Sequence, residues 1–136
     1  MVRILLADDH ESARRMIRYV LAARTDWQIV AEVADGDEAV QRAHEHCPDV
    51  AILDFQMPRM NGIEAAKKIL ERCPAAIVVT ESLHDVAFLM NSLRKAGVRG
   101  FVPKSEIGTD LIPAIETVLN GGEWFKVDPH PVLVTA

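Results

Sequence analysis

Short apolar runs alternate along the chain with longer segments in which apolar residues recur at helical spacing. The short runs have the length of strands, and they occupy residues 3–7, 28–34, 50–53, 76–80 and 100–102. In the longer segments, apolar residues fall on one face of a 3.6-residue period, and a proline or glycine marks the end of each of the last four. Because the short runs are apolar on both faces, the pattern predicts an α/β fold, with a five-stranded parallel sheet covered by five helices.

The connections between these elements restrict the topology further. Crossovers between parallel strands are almost always right-handed, which favours a doubly wound sheet, here with strand order 2-1-3-4-5. The chain of 136 residues is long enough for one domain with a substantial core, and we assign this domain to residues 1–125. Residues 126–136 contain two prolines and are interpreted as an extended, linker-like tail.

Composition and charge remove several classes of function. The net charge of −5 and the pI near 5.5 argue against a nucleic-acid-binding surface, which needs clustered basic residues. No apolar run approaches the roughly 20 residues of a membrane span, and Asp8 and Asp9 come too early for a signal peptide. We therefore expect a cytoplasmic protein that binds neither nucleic acid nor membrane. Cys47 and Cys73 lack metal-site spacing and are expected to be reduced thiols rather than a disulfide.

Chemically reactive side chains gather where the predicted strands end. In a doubly wound sheet, ligands bind beyond the carboxyl ends of the strands, near the point where the strand order reverses. The residues at these positions are Asp8 and Asp9 after strand 1, Asp54 at strand 3, Thr80 and Ser82 at strand 4, and Lys104 after strand 5. Three converging carboxylates repel one another and need a cation. The oxygen-rich set suits Mg²⁺, and no histidine or thiolate is expected to favour zinc.

A carboxylate beside Mg²⁺ and a lysine can also act as a nucleophile toward a phosphoryl group, giving an aspartyl phosphate. The metal, the lysine and a hydroxyl would then stabilise charge on the transferring oxygens. Taken singly, Asp8, Asp54 and Ser82 are also typical of helix caps or turns, and Lys104 is typical of a solvated surface. Their joint placement at four strand ends is what favours a phosphoryl site.

Four segments together resemble the receiver domain of two-component response regulators. These segments are ILLADDHE, VAILDFQMPRMNG, SLHD and KAGVRGFVPK, and they occur in the family's order across residues 1–125. They are most similar to the LuxR-type (NarL/FixJ) subgroup. The resemblance implies a flavodoxin-like receiver fold and a phosphorylation-dependent switch.

The resemblance also implies roles for individual residues. Asp54 would accept phosphate from a phosphohistidine of a sensor kinase, and Lys104 would pair with the phosphoryl group. Mg²⁺ would be bound by Asp9, Asp54 and the backbone carbonyl of Gln56, with Asp8 acting through water. On strand 5, Phe101 would be the switch aromatic, turning inward from a more exposed rotamer.

The switch hydroxyl has two candidates. Thr80 ends the apolar run, whereas Ser82 lies 22 residues before Lys104, as the family spacing requires. We favour Ser82, although this choice places Glu81 where the family normally has an apolar residue. Gln56, Leu83 and His84 occupy the positions that tune the lifetime of the phosphoryl group in the family.

Proline precedes Lys104 here, whereas many receivers place it after the lysine, so the resemblance does not determine whether the Val102–Pro103 bond is cis or trans.

The implied output is a changed surface on helix 4, strand 5 and helix 5, which controls an output domain or partner in transcription or promotes a homodimer.

A Mg²⁺-dependent phosphohydrolase of the haloacid-dehalogenase type is the alternative that also forms an aspartyl phosphate. That family needs two aspartates separated by one residue on strand 1, whereas Asp8 and Asp9 are adjacent. A nucleotide-binding module is disfavoured because no glycine-rich fingerprint follows a strand. The presence of Asp9, Asp54 and Lys104 argues against a receiver that ignores phosphate.

Overall fold

The computed structural model describes residues 1–82 and 87–126, and the regular elements lie between Val2 and Phe125. In chain order they are β1 Val2–Ala7, α1 Glu11–Leu21, β2 Trp27–Val33, α2 Gly36–His46, β3 Val50–Asp54, α3 Gly62–Leu70, β4 Ala76–Glu81, α4 Met90–Lys95, β5 Gly100–Pro103, α5 Ile107–Leu119 and β6 Trp124–Phe125. Short 3₁₀ turns precede α4 at Ala87–Leu89 and α5 at Lys104–Glu106.

The strands form one parallel sheet in the order β2-β1-β3-β4-β5-β6. The predicted doubly wound α/β fold and the predicted order of the first five strands are confirmed. The number of strands was wrong, because β6 pairs with β5 through Gly100 and Phe101. A strand of two residues carries no periodicity, so the sequence pattern cannot reveal it.

Both faces of the sheet are buried, as the continuous apolar runs predicted. One cluster joins alternate strand residues such as Leu5, Leu53 and Val79 to α2, α3 and α4. The other joins the intervening strand residues, such as Leu6 and Ile52, to α1 and α5. Because all five long strands point the same way, their carboxyl ends meet at one edge of the sheet.

Two helices that border this edge begin with side-chain caps. Asp35 accepts a hydrogen bond from the backbone N–H of Glu38 at 2.8 Å, at the start of α2. Asn61 accepts one from the N–H of Glu64 at 2.9 Å, at the start of α3. Each cap satisfies an otherwise unpaired backbone donor and fixes where the loop from the preceding strand enters its helix.

The two cysteines are paired in the structure, so the prediction of reduced thiols was wrong. Cys47 and Cys73 form a disulfide with a Cα–Cα separation of 5.4 Å. Cys47 caps the end of α2 with a left-handed backbone (φ 41°), and Cys73 follows α3, which packs beside α2. The two helices end at the same edge of the sheet, so residues 26 positions apart become neighbours. No spacing rule in the sequence reveals this.

The Val102–Pro103 bond is trans, since the described residues contain no cis peptide. The helix α4 begins at Met90, and residues 83–86, between β4 and the 3₁₀ turn before it, lie outside the described residues. Among the residues that the structure describes, no helix has both the length and the apolar character needed to cross a membrane.

Gly62 lets α3 pack directly against the end of β3. A Cβ atom at this position would lie 2.7 Å from the carbonyl oxygen of Asp54 and 3.1 Å from the Cα of Phe55. Both of these are backbone atoms, so the contact is not relieved by a side-chain rotation. The glycine therefore helps to set the position of Asp54.

We predict that Gly62→Ala lowers the free energy of unfolding by about 1–3 kcal/mol, as for other overpacked sites. Gly108→Ala is the matched control, because a Cβ there meets nothing within 4 Å. In α5 this control should be neutral or stabilising, by up to about 1 kcal/mol. Urea unfolding followed by circular dichroism measures both variants. Equal stability of the Gly62 variant and the wild type would contradict the proposed close contact.

Candidate functional site

The site lies at the carboxyl edge of the sheet, where β1, β3 and β5 end. Asp54 is the last residue of β3, Asp8 and Asp9 follow β1, and Lys104 follows β5. β1 and β3 are neighbours at the point where the strand order reverses. The structure thus brings together the three carboxylates and the lysine that were predicted to converge.

Lys104 forms ion pairs with two of the carboxylates. Its Nζ lies 2.9 Å from Asp8 Oδ2 and 3.2 Å from Asp54 Oδ2. Asp8 is fully buried, Asp54 is 2% exposed, and the lysine side chain is 16% exposed. A single cation therefore serves two buried carboxylates.

This imbalance of charge affects the protonation of Asp54. Burial, followed by the neighbouring charge of Asp8, raises the pKa of Asp54 to about 7, although Lys104 and a backbone hydrogen bond from Gln56 act in the opposite direction. For Lys104, burial lowers the pKa, but the hydrogen bond to Asp8 and the charges of Asp8 and Asp54 outweigh it, so the net shift is upward. The lysine stays charged, and the site favours additional positive charge.

The loop after β1 fixes the orientation of Asp8. Its Oδ1 accepts a hydrogen bond from the backbone N–H of His10 at 2.8 Å, and its carbonyl accepts one from Arg14 at 2.6 Å. Arg14 in turn donates to Glu32 on β2 at 2.9 Å. The carboxylate of Asp8 is therefore held with Oδ1 toward α1 and Oδ2 toward Lys104.

His10 adds a nitrogen to the cluster, although no histidine was expected to favour zinc at this site. Its Nδ1 lies 3.1 Å from Asp9 Oδ1, 3.3 Å from Asp8 Oδ1 and 3.9 Å from Asp54 Oδ2. The signal was present in the sequence, since His10 directly follows the two aspartates.

The donor set fits a divalent cation. One potential ligand atom from each of Asp8, Asp9, His10 and Asp54 lies within 4.8 Å of all the others. Carboxylate oxygens are typical Mg²⁺ ligands. Gln56, whose backbone carbonyl was predicted as a further ligand, lies exposed in the loop after β3.

The two candidate hydroxyls differ in their surroundings. Thr80 pairs in register with Asp54 across β3 and β4, is 1% exposed, and its Oγ1 has no hydrogen-bond partner among the described residues. Ser82 is exposed, and its Oγ lies 3.3 Å from Oε1 of the buried Glu81. The predicted contacts of either hydroxyl with a phosphoryl group remain predictions.

Phe101 is only 2% exposed and packs in the cluster between the sheet and α2, α3 and α4, opposite Val79 on β4. The more exposed rotamer that we expected for the resting state is therefore not the one in the structure. Burial of this large apolar side chain stabilises the fold because it removes apolar surface from water.

Two of the three predicted lifetime-tuning residues, Leu83 and His84, lie outside the described residues.

Comparison with known proteins agrees with this geometry. A model of the family described as the response regulator receiver domain matches residues 4–116. Because this match covers most of the chain, the protein belongs to the response regulator receiver domain family. The comparisons give no support to the phosphohydrolase alternative.

Among the relatives, a transcriptional regulatory protein DegU from Brevibacillus brevis is 32% identical over 96% of this chain and 53% of its own length. An oxygen regulatory protein NreC from Staphylococcus epidermidis is 36% identical over 88% of this chain and 56% of its own length. The chain thus spans about half the length of the curated relatives it matches.

A crystal structure of a LuxR-family two-component response regulator from Aurantimonas sp. superimposes with a TM-score of 0.84. It is 33% identical and covers 92% of this chain and 89% of that one. The similarity to LuxR-type receivers that the motifs indicated is therefore confirmed.

The raised pKa of Asp54 predicts how stability depends on pH without metal. Because the folded protein holds this proton more tightly than the unfolded chain, the carboxyl stabilises the fold most at low pH. That contribution is lost as the pH rises from about 4 through about 7. We expect Asp54→Asn to flatten this dependence and to raise the free energy of unfolding at pH 8. The gain should be on the order of 2 kcal/mol, since one pKa unit corresponds to about 1.4 kcal/mol.

Urea unfolding at several pH values, with a chelator present, measures this effect. Asp37→Asn is the control, because Asp37 is an exposed aspartate in the first turn of α2. A parallel pH dependence in wild type and Asp54→Asn would show that Asp54 has an ordinary pKa.

Proposed function

We propose that the protein is a phosphorylation-dependent signalling switch, in which Asp54 accepts a phosphoryl group from a phosphohistidine of a sensor kinase. The observation that carries this proposal is the placement of Asp54, a carboxylate 2% exposed that contacts Lys104 and adjoins Asp8, Asp9 and His10. Membership of the receiver family supports the same assignment. Residues 1–125 are the receiver in this proposal, and residues 126–136 are a linker.

Asp54 is the nucleophile. One of its carboxylate oxygens forms a bond to phosphorus as the bond from phosphorus to the imidazole nitrogen breaks, and the imidazole keeps the electron pair. Burial favours this reaction because a carboxylate deprived of water is more reactive and its product is shielded. The carboxylate form is needed, so cations beside Asp54 must offset the rise in its pKa.

Lys104 supplies the fixed part of that charge. Its Nζ lies 3.2 Å from Asp54 Oδ2. It is therefore close enough to contact the oxygens of a phosphoryl group bound to Asp54. Mg²⁺, when bound, neutralises charge on the transferring phosphoryl oxygens. Asp9, Asp54 and the carbonyl of Gln56 would hold it directly, and Asp8 would hold it through water.

Phosphorylation adds about −1.5 to −2 charges and new acceptor oxygens at the end of β3. A hydroxyl at the end of β4 donates to one of these oxygens, and we assign this role to Ser82. Among the residues that the structure describes, the contact found for its exposed Oγ is the one with Glu81 at 3.3 Å, so little is lost when it moves. Phe101 on β5 couples this movement to the surface formed by α4, β5 and α5. Gln56, Leu83 and His84 set the lifetime of the phosphoryl group.

The changed surface then regulates a DNA-binding output domain, another partner or a second copy of the chain. The names of relatives such as DegU and NreC support a regulatory role, and DegU is described as transcriptional. We place the protein in the cytoplasm, where a sensor kinase can reach it, and we assign no direct contact with nucleic acid or membrane to this chain.

The phosphorylation site can be tested with a small-molecule phosphodonor. We expect incubation with acetyl phosphate and Mg²⁺ to add one phosphoryl group, detected by intact mass spectrometry, and a chelator to prevent it. Asp54→Asn should remain unmodified, whereas Asp37→Asn should react like the wild type. A mass gain that persists in Asp54→Asn, or no gain in the wild type, would refute the proposal.

The choice between the hydroxyls predicts different behaviour for two variants. Ser82→Ala should be phosphorylated but should lose the phosphorylation-induced change in the amide chemical shift of Phe101. Thr80→Val keeps the shape of a buried side chain whose Oγ1 has no hydrogen-bond partner within the described parts of the chain. It should therefore switch normally and differ in stability by no more than about 1 kcal/mol. The reverse pattern, with Thr80→Val uncoupled and Ser82→Ala intact, would assign the switch to Thr80.

A further inference from the structure

We propose that His10 is a ligand of the metal site and shifts its selectivity from Mg²⁺ toward divalent transition ions such as Co²⁺ and Zn²⁺. This inference rests on the proposed function, because it concerns the cation that supports phosphorylation of Asp54. It concerns a residue that no predicted ligand set included.

The position of His10 places its ring beside the carboxylates. The residue is the N-cap of α1, with an extended backbone (φ −100°, ψ 116°), and its N–H donates to Asp8 Oδ1 at 2.8 Å. This hydrogen bond ties the backbone of His10 to the site itself. The side chain is 63% exposed, yet Nδ1 is directed toward the cluster, 3.1 Å from Asp9 Oδ1.

The imidazole has no evident structural task elsewhere. An N-cap side chain normally accepts a hydrogen bond from the first turn of its helix, but His10 makes no such bond. Within the described parts of the chain, the polar contacts found for its ring are to Asp8, Asp9 and Asp54. The ring is therefore positioned by the groups that would bind the metal.

Lys104 and His10 approach different oxygens of Asp8. Lys104 contacts Oδ2 of Asp8, whereas His10 lies beside Asp8 Oδ1 and Asp9 Oδ1. Both also lie near Asp54 Oδ2, at 3.2 Å for Lys104 and 3.9 Å for His10. The oxygens that Lys104 leaves available are thus the ones nearest to Nδ1. A cation bound by these oxygens would also meet the nitrogen.

The spacing allows a shared ion with little rearrangement. Ligands on opposite sides of one transition ion lie about 4.0–4.4 Å apart, given bonds of 2.0–2.2 Å. Adjacent ligands of such an ion lie about 3.0–3.4 Å apart, and Nδ1 of His10 lies 3.1 Å from Asp9 Oδ1 and 3.3 Å from Asp8 Oδ1. All four potential ligand atoms lie within 4.8 Å of one another. Mg²⁺ prefers oxygen ligands and retains water, whereas imidazole suits Zn²⁺, Ni²⁺ and similar ions.

Calorimetric titration with Mg²⁺ and with Co²⁺ tests this selectivity. Any mixed site binds Co²⁺ more tightly than Mg²⁺, so the informative quantity is the change in the ratio of affinities when His10 is replaced. We expect His10→Ala to weaken Co²⁺ binding by at least about tenfold, the lower end of the loss seen when metal-orienting groups are removed. Mg²⁺ binding should change by less than about threefold, because Mg²⁺ replaces the nitrogen with water.

His46→Ala is the control for adventitious binding of Co²⁺ to surface imidazoles. His46 lies in the last turn of α2, at the opposite end of this helix from the carboxyl edge of the sheet. The two cysteine sulfurs are bonded to each other and do not compete for the ion. This control should keep the wild-type ratio of affinities.

Mn²⁺ provides a direct readout of the ligand. In the Mn²⁺-loaded protein, electron spin echo modulation should detect a directly bound ¹⁴N nucleus in the wild type and in His46→Ala, but not in His10→Ala. An unchanged Co²⁺ to Mg²⁺ ratio in His10→Ala, or ¹⁴N modulation that persists in it, would overturn the role of His10. If Mg²⁺-dependent phosphorylation of Asp54 is still observed in that case, the proposed function is retained and only the role of His10 is rejected. Failure of every ion to bind wild type more tightly than Asp54→Asn would overturn both.

Discussion

The ion pairs of Lys104 with two buried carboxylates are the interaction on which the rest of the site depends. Asp8 is fully buried and Asp54 almost so, and burial of like charges is costly unless cations accompany them. Lys104 lies within 3.2 Å of both, but its single charge leaves the pKa of Asp54 raised to about 7. The fold thus builds a site with less positive than negative charge, and the divalent cation and the phosphoryl chemistry that we propose both depend on that deficit.

Much of this arrangement could be predicted because it depends on parallel strands. Buried strands are continuous apolar runs, and four of the five runs are followed directly by an acidic residue. Asp54 and Lys104 are 50 residues apart, yet parallel strands bring their carboxyl ends to one edge, so their contact follows from topology. The family motifs added a role for each residue. The preference for Ser82 over Thr80 rests on the family's spacing between this hydroxyl and Lys104.

The features that sequence reasoning missed depend on packing rather than on periodicity. The disulfide between Cys47 and Cys73 arises because α2 and α3 end side by side, and β6 is too short to produce a pattern. Phe101 is buried in the cluster that the sheet forms with α2, α3 and α4, and no local signal in the sequence gives this packing. Whether the His10 ring points toward the carboxylates depends on the rotation of one side chain at the start of α1. Its position directly after two aspartates indicated that such a contact was possible.

We propose that burial suppresses the charge of the Asp54 carboxyl and that cations restore it. The most direct test is an NMR titration of the ¹³C resonance of this carboxyl, assigned with Asp54→Asn, without metal and with Mg²⁺. We expect an apparent pKa near 7 without metal and a marked fall when Mg²⁺ is added. An ordinary pKa near 4, unchanged by Mg²⁺, would contradict this account of the site.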